Sequence, residues 1–286
     1  MKLPVSTSGC TIKEPRFWNL LVGMREKSAN TDALQCEYEQ LFRHGRNCST
    51  CTLFDTTPDN HVVGIPQEVH SRVAAARWIA IMREPATRVW SLLTYRLLHP
   101  RFTQRQLLHV WREANMVPKL HPGDDMSYLQ NVSACLRMRC PRIRALAANA
   151  FDAGVNRTLS QWHTVQSRGG KIEDFVHYSD GGQLDHDIRS GVYVVPVTDV
   201  IRIFGRKSVH AIRMDRLKSH PEESLAAVFE FAGLGWRQGD SALRATAKHT
   251  KHVIETPGMV ALRQWYEPFN MLLARTLGDN SFLFGD

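Results

Sequence analysis

The sequence predicts an α/β protein with a parallel sheet flanked by helices. Three observations carry this reading. Trp78-Ile-Ala-Ile-Met82 is an unbroken apolar run of strand length, the pattern of a strand covered on both faces. A helical pattern follows at once, from Pro85 to about Leu98. The same order recurs later: residues 208–214 read as a strand and residues 221–234 as an amphipathic helix. Strands that alternate with helices pair in parallel, and such sheets bind ligands outside the carboxyl ends of their strands.

Each element has a local reason. Cys51-Thr-Leu-Phe54 is a further short strand, closed by Asp55-Thr-Thr-Pro58. Pro85 stands where a first helical residue tolerates proline. The segment 191–204 is helical after its first residues despite Pro196, and the helix of 221–234 is stopped by Gly233 and Gly235. Residues 258–277 form a long amphipathic helix ended by Gly278. Between residues 101 and 190 the chain is more polar. There it reads as helices joined by loops, with turns at Arg168-Gly-Gly-Lys171 and Asp180-Gly-Gly-Gln183.

The 286 residues suffice for one large α/β domain or two small ones. A hydrophobic share of 43% with 22% charged residues excludes a largely disordered chain. No 18-residue apolar stretch is present, and the first residues lack the apolar centre of a signal peptide. The net charge of +8 suits an anionic partner. Basic runs are short and are not interleaved with aromatics, which argues against nucleic acid. Gly-x-x-x-x-Gly-Lys-Ser/Thr is absent, which argues against a P-loop kinase.

The six cysteines and thirteen histidines do not point to a metal. Cys48-Ser-Thr-Cys51 has C-x-x-C spacing, but the next pair, Cys135 and Cys140, is too widely spaced for a zinc knuckle. That downstream pair is the best local candidate for a disulfide. Sequons at Asn47, Asn131 and Asn156 are compatible with a secretory compartment.

The stretch Arg83-Glu84-Pro85-Ala-Thr-Arg88-Val-Trp-Ser91 is the most informative. A strand delivers Arg83 to its carboxyl end, and a helix begins there. Ser91 lies about two turns into that helix, on a stripe with Glu84, Thr87, Arg88 and Tyr95. A guanidinium, a hydroxyl and a helix N-terminus together suit a phosphate. A plain salt bridge for Arg83 and a packed helix serine fit the spacing equally well.

This motif resembles the 3′-phosphate-binding segment of sulfotransferases that use PAPS (3′-phosphoadenylyl sulfate), above all the carbohydrate sulfotransferases of the Golgi. Lys13-Glu14-Pro15-Arg16-Phe17-Trp18 resembles their Lys-Glu-Pro-His-Phe-Phe/Trp segment and points to the chondroitin GalNAc 4-sulfate 6-O-sulfotransferase branch. Residues 204–234 resemble their strand–helix unit. Leu262-Arg-Gln-Trp-Tyr266-Glu-Pro-Phe-Asn270 resembles their C-terminal helix, and Gly191-Val-Tyr193 their Gly-x-Tyr. The resemblance runs over nearly the whole chain and is weakest at 101–190.

The resemblance implies a P-loop-NTPase-like three-layer α/β/α fold with a central parallel sheet, formed by one domain over residues 1–286. Within it, residues 1–100 form the nucleotide half, 101–190 the acceptor region and 191–286 the rest of the core. It implies that PAPS is the donor and an anionic, glycosaminoglycan-like carbohydrate the acceptor. Arg83 and Ser91 would hold the 3′-phosphate and Lys251 would lie over the nucleotide. Glu14 would be the general base, Lys13 would help hold donor or acceptor, and Arg16 would face the acceptor. It implies no metal and no nucleic acid, and the Golgi lumen or membrane as compartment.

Three departures are expected to matter. Arg16 replaces a histidine and can act only electrostatically. Thr56 stands where the heparan sulfate enzymes carry lysine, which argues against that acceptor. The family's Pro-Lys-x-Gly-Thr-Thr loop, an anion nest for the 5′-phosphosulfate, has no counterpart among the twelve residues before Lys13. A first strand and that loop are therefore expected to be missing from the chain as written. An inactive fragment or a glycan-binding relative is the alternative reading.

Overall fold

The computed structural model describes residues 65–98, 141–177, 182–235 and 255–284. The chain divides into two compact units. Among the described residues the first comprises 65–78 and 196–209, and the second comprises 79–195 and 210–284. Mostly helical, with a small parallel sheet, the described residues have the expected α/β character.

In the first unit, helix α1 (Ile65–Arg72) buries Ile65 and Val69 on one face. Phe204 closes this unit's core, with its ring 5.1 Å from His70 and 5.4 Å from Trp78. Phe204 ends a helix, Val194–Phe204 (numbered α6 by its place in the chain), whose residues from 196 belong to this unit. Pro196 sits in its first turn, where a missing N–H breaks no intrahelical bond. Gly205, at a φ of 82°, takes the chain out of the helix.

The second unit holds all of the sheet but the first residue of each strand. Strands β1 (Trp78–Met82) and β2 (Val209–Arg213) lie side by side. Their bounds follow the two apolar runs. One expectation for β1 differs: Ile81 is 51% exposed, so this strand is not covered along its whole length. From β1 the chain enters α2 (Pro85–Leu98), which buries Ala86, Val89, Trp90 and Leu93, an i, i+3, i+4, i+7 stripe.

Helix α3 (Pro141–Ser167) packs against α2, with Phe151 edge-on to Trp90 at 5.3 Å. The expected turn at 168–170 follows, with Gly169 at a φ of 75°. Short helices α4 (Ile172–His177) and α5 (Gln183–Arg189) come next, and α5 rests on α2, α3 and α4. Asp185 fixes α5. It accepts from the Gly182 amide at 2.8 Å, from Thr158 Oγ1 at 2.6 Å and from both Nε and Nη2 of Arg157.

After β2 the chain forms α7 (Met214–Ser219) directly, then α8 (Pro221–Phe231). Met214 therefore opens a helix and does not end the strand. Helix α9 (Pro257–Leu277) packs on α2 and α3. Thr256 caps its start, which the sequence reading did not name, and Gly278, left-handed at a φ of 68°, ends it as expected. Leu262, Tyr266 and Asn270, four apart, form its buried stripe, so these residues of the family-like segment serve packing.

Candidate anion site at the end of strand β1

Strand β1 ends on Met82, which is buried, and hands the chain to Arg83 and Glu84 before α2 begins. Arg83 is half-buried. Among the described residues its guanidinium makes no hydrogen bond or ion pair. A cation partly withdrawn from water gains most from an anion brought to it. Ser91 is half-buried on α2, and its carbonyl accepts from Thr94 Oγ1 at 3.1 Å. Both sequence-predicted 3′-phosphate residues thus belong to one strand–turn–helix unit. Lys13, Glu14, Arg16 and Lys251 lie outside the described residues, as do all six cysteines and the Cys51–Phe54 strand.

The helix start differs from expectation. The Glu84 carboxylate turns back over its own helix, accepting from the Ala86 amide at 2.9 Å through Oε1 and from the Thr87 amide at 2.8 Å through Oε2. Pro85 has no N–H to offer. The first-turn amides that the sequence reading leaves open to a phosphate are therefore held by an internal carboxylate. Arg263 of α9 approaches that carboxylate at 3.9 Å and also bonds Glu255 at 2.5 Å. An acidic residue just before an N1 proline was the available signal for this cap.

Arg88, the next arginine of the motif, faces inward. Its Nη1 donates to the Asp187 carbonyl at 3.2 Å and to Ser190 Oγ at 3.1 Å, tying α2 to the end of α5. Its guanidinium lies 5.9 Å from the centre of the Tyr193 ring. The Tyr193 hydroxyl is buried and, among the described residues, makes no hydrogen bond. Burial raises its pKa above the ordinary phenol value, while Arg88 and the nearby Arg83 amide pull it back. Beneath this layer Tyr266 donates to the Ile188 carbonyl at 2.5 Å. Burial pushes the Tyr266 phenol well above its usual range. Arg88, Tyr193, Tyr266 and Arg263 are supports that sequence reasoning did not assign. Tyr193 and Tyr266 stood inside quoted family-like segments, but nothing local tied them to Arg83.

Among the described residues, no group of three or more His, Cys, Asp or Glu side chains could hold a metal, and no helix is long and apolar enough to cross a membrane. Of the sequons, Asn156 lies within the described residues, exposed on α3. Its Thr158 is buried, with the hydroxyl bonded to the Gly154 carbonyl at 3.0 Å.

No protein-family model and no curated protein matches the chain. Among solved structures it is similar to that of a sulfotransferase from Alicyclobacillus acidocaldarius. That match has 13% sequence identity over 71% of this chain and 96% of the other, with a TM-score of 0.30.

Proposed function

We propose that the chain is an O-sulfotransferase that moves a sulfuryl group from PAPS to a hydroxyl of an anionic, glycosaminoglycan-like carbohydrate in the Golgi lumen. The observation that carries the reading is the half-buried Arg83 guanidinium at the carboxyl end of β1, with no anionic partner among the described residues. The motif around it supplies the rest: Ser91 two turns along α2, in the order that the 3′-phosphate segment of this family shows.

In this reading Arg83 and Ser91 hold the 3′-phosphate and Lys251 lies over the nucleotide. Lys13 and Arg16 meet the negative charge of donor and acceptor. Glu14 takes the proton from the acceptor hydroxyl. That oxygen attacks sulfur in line, the bond from sulfur to the phosphate oxygen breaks, and adenosine 3′,5′-bisphosphate leaves. Catalysis rests on positioning and on charge placed around the moving group, as in phosphoryl transfer.

A labelled-sulfate transfer assay against a glycan panel tests it, with calorimetry of adenosine 3′,5′-bisphosphate alongside. The parent chain should transfer and bind. Glu14→Gln should bind but not transfer. Full turnover in that variant would remove Glu14 from the chemistry, and absence of both transfer and nucleotide binding in the parent would overturn the reading.

A further inference from the structure

The Arg263 guanidinium of α9 stands between two carboxylates. Its Nη1 donates to Glu255 Oε1 at 2.5 Å, and its Nε lies 3.9 Å from Glu84 Oε2. The two contacts are unequal. The first is a hydrogen-bonded ion pair, whereas the second is beyond hydrogen-bonding distance. Glu84 is the more enclosed acid, its side chain 21% exposed against 55% for Glu255. It is also the residue next to Arg83, where β1 hands the chain to α2. An anion that reaches Arg83 therefore arrives beside a carboxylate. The amide end of α2 offsets only about half of that charge. Arg263 can offset the remainder, but Glu255 holds it the more closely.

We infer that Arg263 is a positioning residue that sets the charge beside the anion site, and that Glu255 restrains it. Arg263 acts through Glu84 and does not touch the ligand. Glu255 draws the guanidinium to itself, leaves Glu84 under-neutralised and so weakens the hold on a phosphate. Without Glu255 the Arg263 Nε–H closes on Glu84, and the site takes a phosphate more tightly. The inference rests on the reading of Arg83 as a phosphate ligand for its effect on binding, not for the sharing of Arg263 between the two acids.

Glu255→Gln, Arg263→Gln and the double variant, each in the full chain, test it. Calorimetry with adenosine 3′,5′-bisphosphate, referred to adenosine 5′-monophosphate, isolates the part owed to the 3′-phosphate. That preference should rise about two- to five-fold in Glu255→Gln and fall by a similar factor in Arg263→Gln, the scale of an exposed ion pair. Both changes should fade at ~1 M salt, where charges are screened beyond about 3 Å. In the Arg263→Gln background, Glu255→Gln should add nothing. A gain there as large as in the parent would make Glu255 a bare charge and overturn the inference. So would an unchanged preference, a fall in both single variants or an effect indifferent to salt, the results of a merely structural network. Nitrogen-15 spectra of the arginine Nε–H groups, recorded without nucleotide, read the sharing itself. In Glu255→Gln the Arg263 signal, identified by its loss in Arg263→Gln, should exchange with water several-fold more slowly, and unchanged exchange also overturns the inference. If the parent binds neither nucleotide, the sulfotransferase reading fails on its own and the spectra still decide how Arg263 is shared.

Discussion

Arg88 donates to the hydroxyl of Ser190, 102 residues further along the chain, at 3.1 Å, and to the Asp187 carbonyl at 3.2 Å. One guanidinium thus secures the helix that carries the anion motif to the end of α5. Arg88→Ala should lower stability by about 1.5–3 kcal/mol, the range for hydrogen bonds that involve a charged group. Urea unfolding checks it. A variant as stable as the parent would show that the tie contributes nothing.

Arg83 has the opposite character, a cation without a protein partner in the described residues. Arg83→Ala should weaken adenosine 3′,5′-bisphosphate binding by about 10- to 100-fold, one charge-assisted contact, and leave the melting temperature nearly unchanged. Arg83→Lys should recover only part of the affinity, because an ammonium cannot present a fork to phosphate. Calorimetry distinguishes these outcomes, and equal affinity in all three proteins would remove Arg83 from the site.

Gly191 and Tyr266 share one volume. A Cβ at position 191 would meet the Tyr266 hydroxyl, and that hydroxyl bonds the Ile188 carbonyl at 2.5 Å. Gly191→Ala should cost about 1–3 kcal/mol by overpacking. In a Tyr266→Phe background the same change should cost less, since the first atom in its way is gone. A double-mutant cycle measures the coupling, and strict additivity would refute the shared volume.

The two buried phenols predict an alkaline limit. Burial raises both Tyr193 and Tyr266 above the ordinary phenol pKa, Tyr266 the more strongly. The unfolded chain, with phenols ionising near pH ~10, then loses these protons first. Stability is therefore full below that pH and declines as pH rises above it. Phenolate absorbance and circular dichroism should show these two of the six tyrosines ionising only as the fold is lost. Ionisation of all six with native dichroism would contradict the burial.

The sequence was readable where one element decides its own shape. The apolar run gave β1 as Trp78–Met82, and Pro85 and Gly278 marked a helix start and a helix stop that the structure keeps. It was less readable where the partner is distant. Helix α3 buries small or polar residues such as Ala147, Ala150 and Thr158, so its apolar stripe is faint and its limits did not stand out. Met214 continued a β-like run, and only the structure shows the Arg213–Asp215 pair at the turn into α7. The site was legible as Arg83 and Ser91, which are close in sequence. Its supports come from α5, the 191–193 segment and α9, and no local pattern announces them. The Glu84 cap could have been read, since it spans only three residues.

That cap has a practical consequence for chemical probes. Glu84 supplies a full negative charge to a helix end worth about half a positive one, so the amide end of α2 is already occupied. A monoanionic fragment such as a simple carboxylate gains little there and would have to displace a tethered competitor. Compounds aimed at this end of β1 should instead carry a dianionic group that engages the guanidinium side chain, and screening libraries built on amide-directed acids should return few hits.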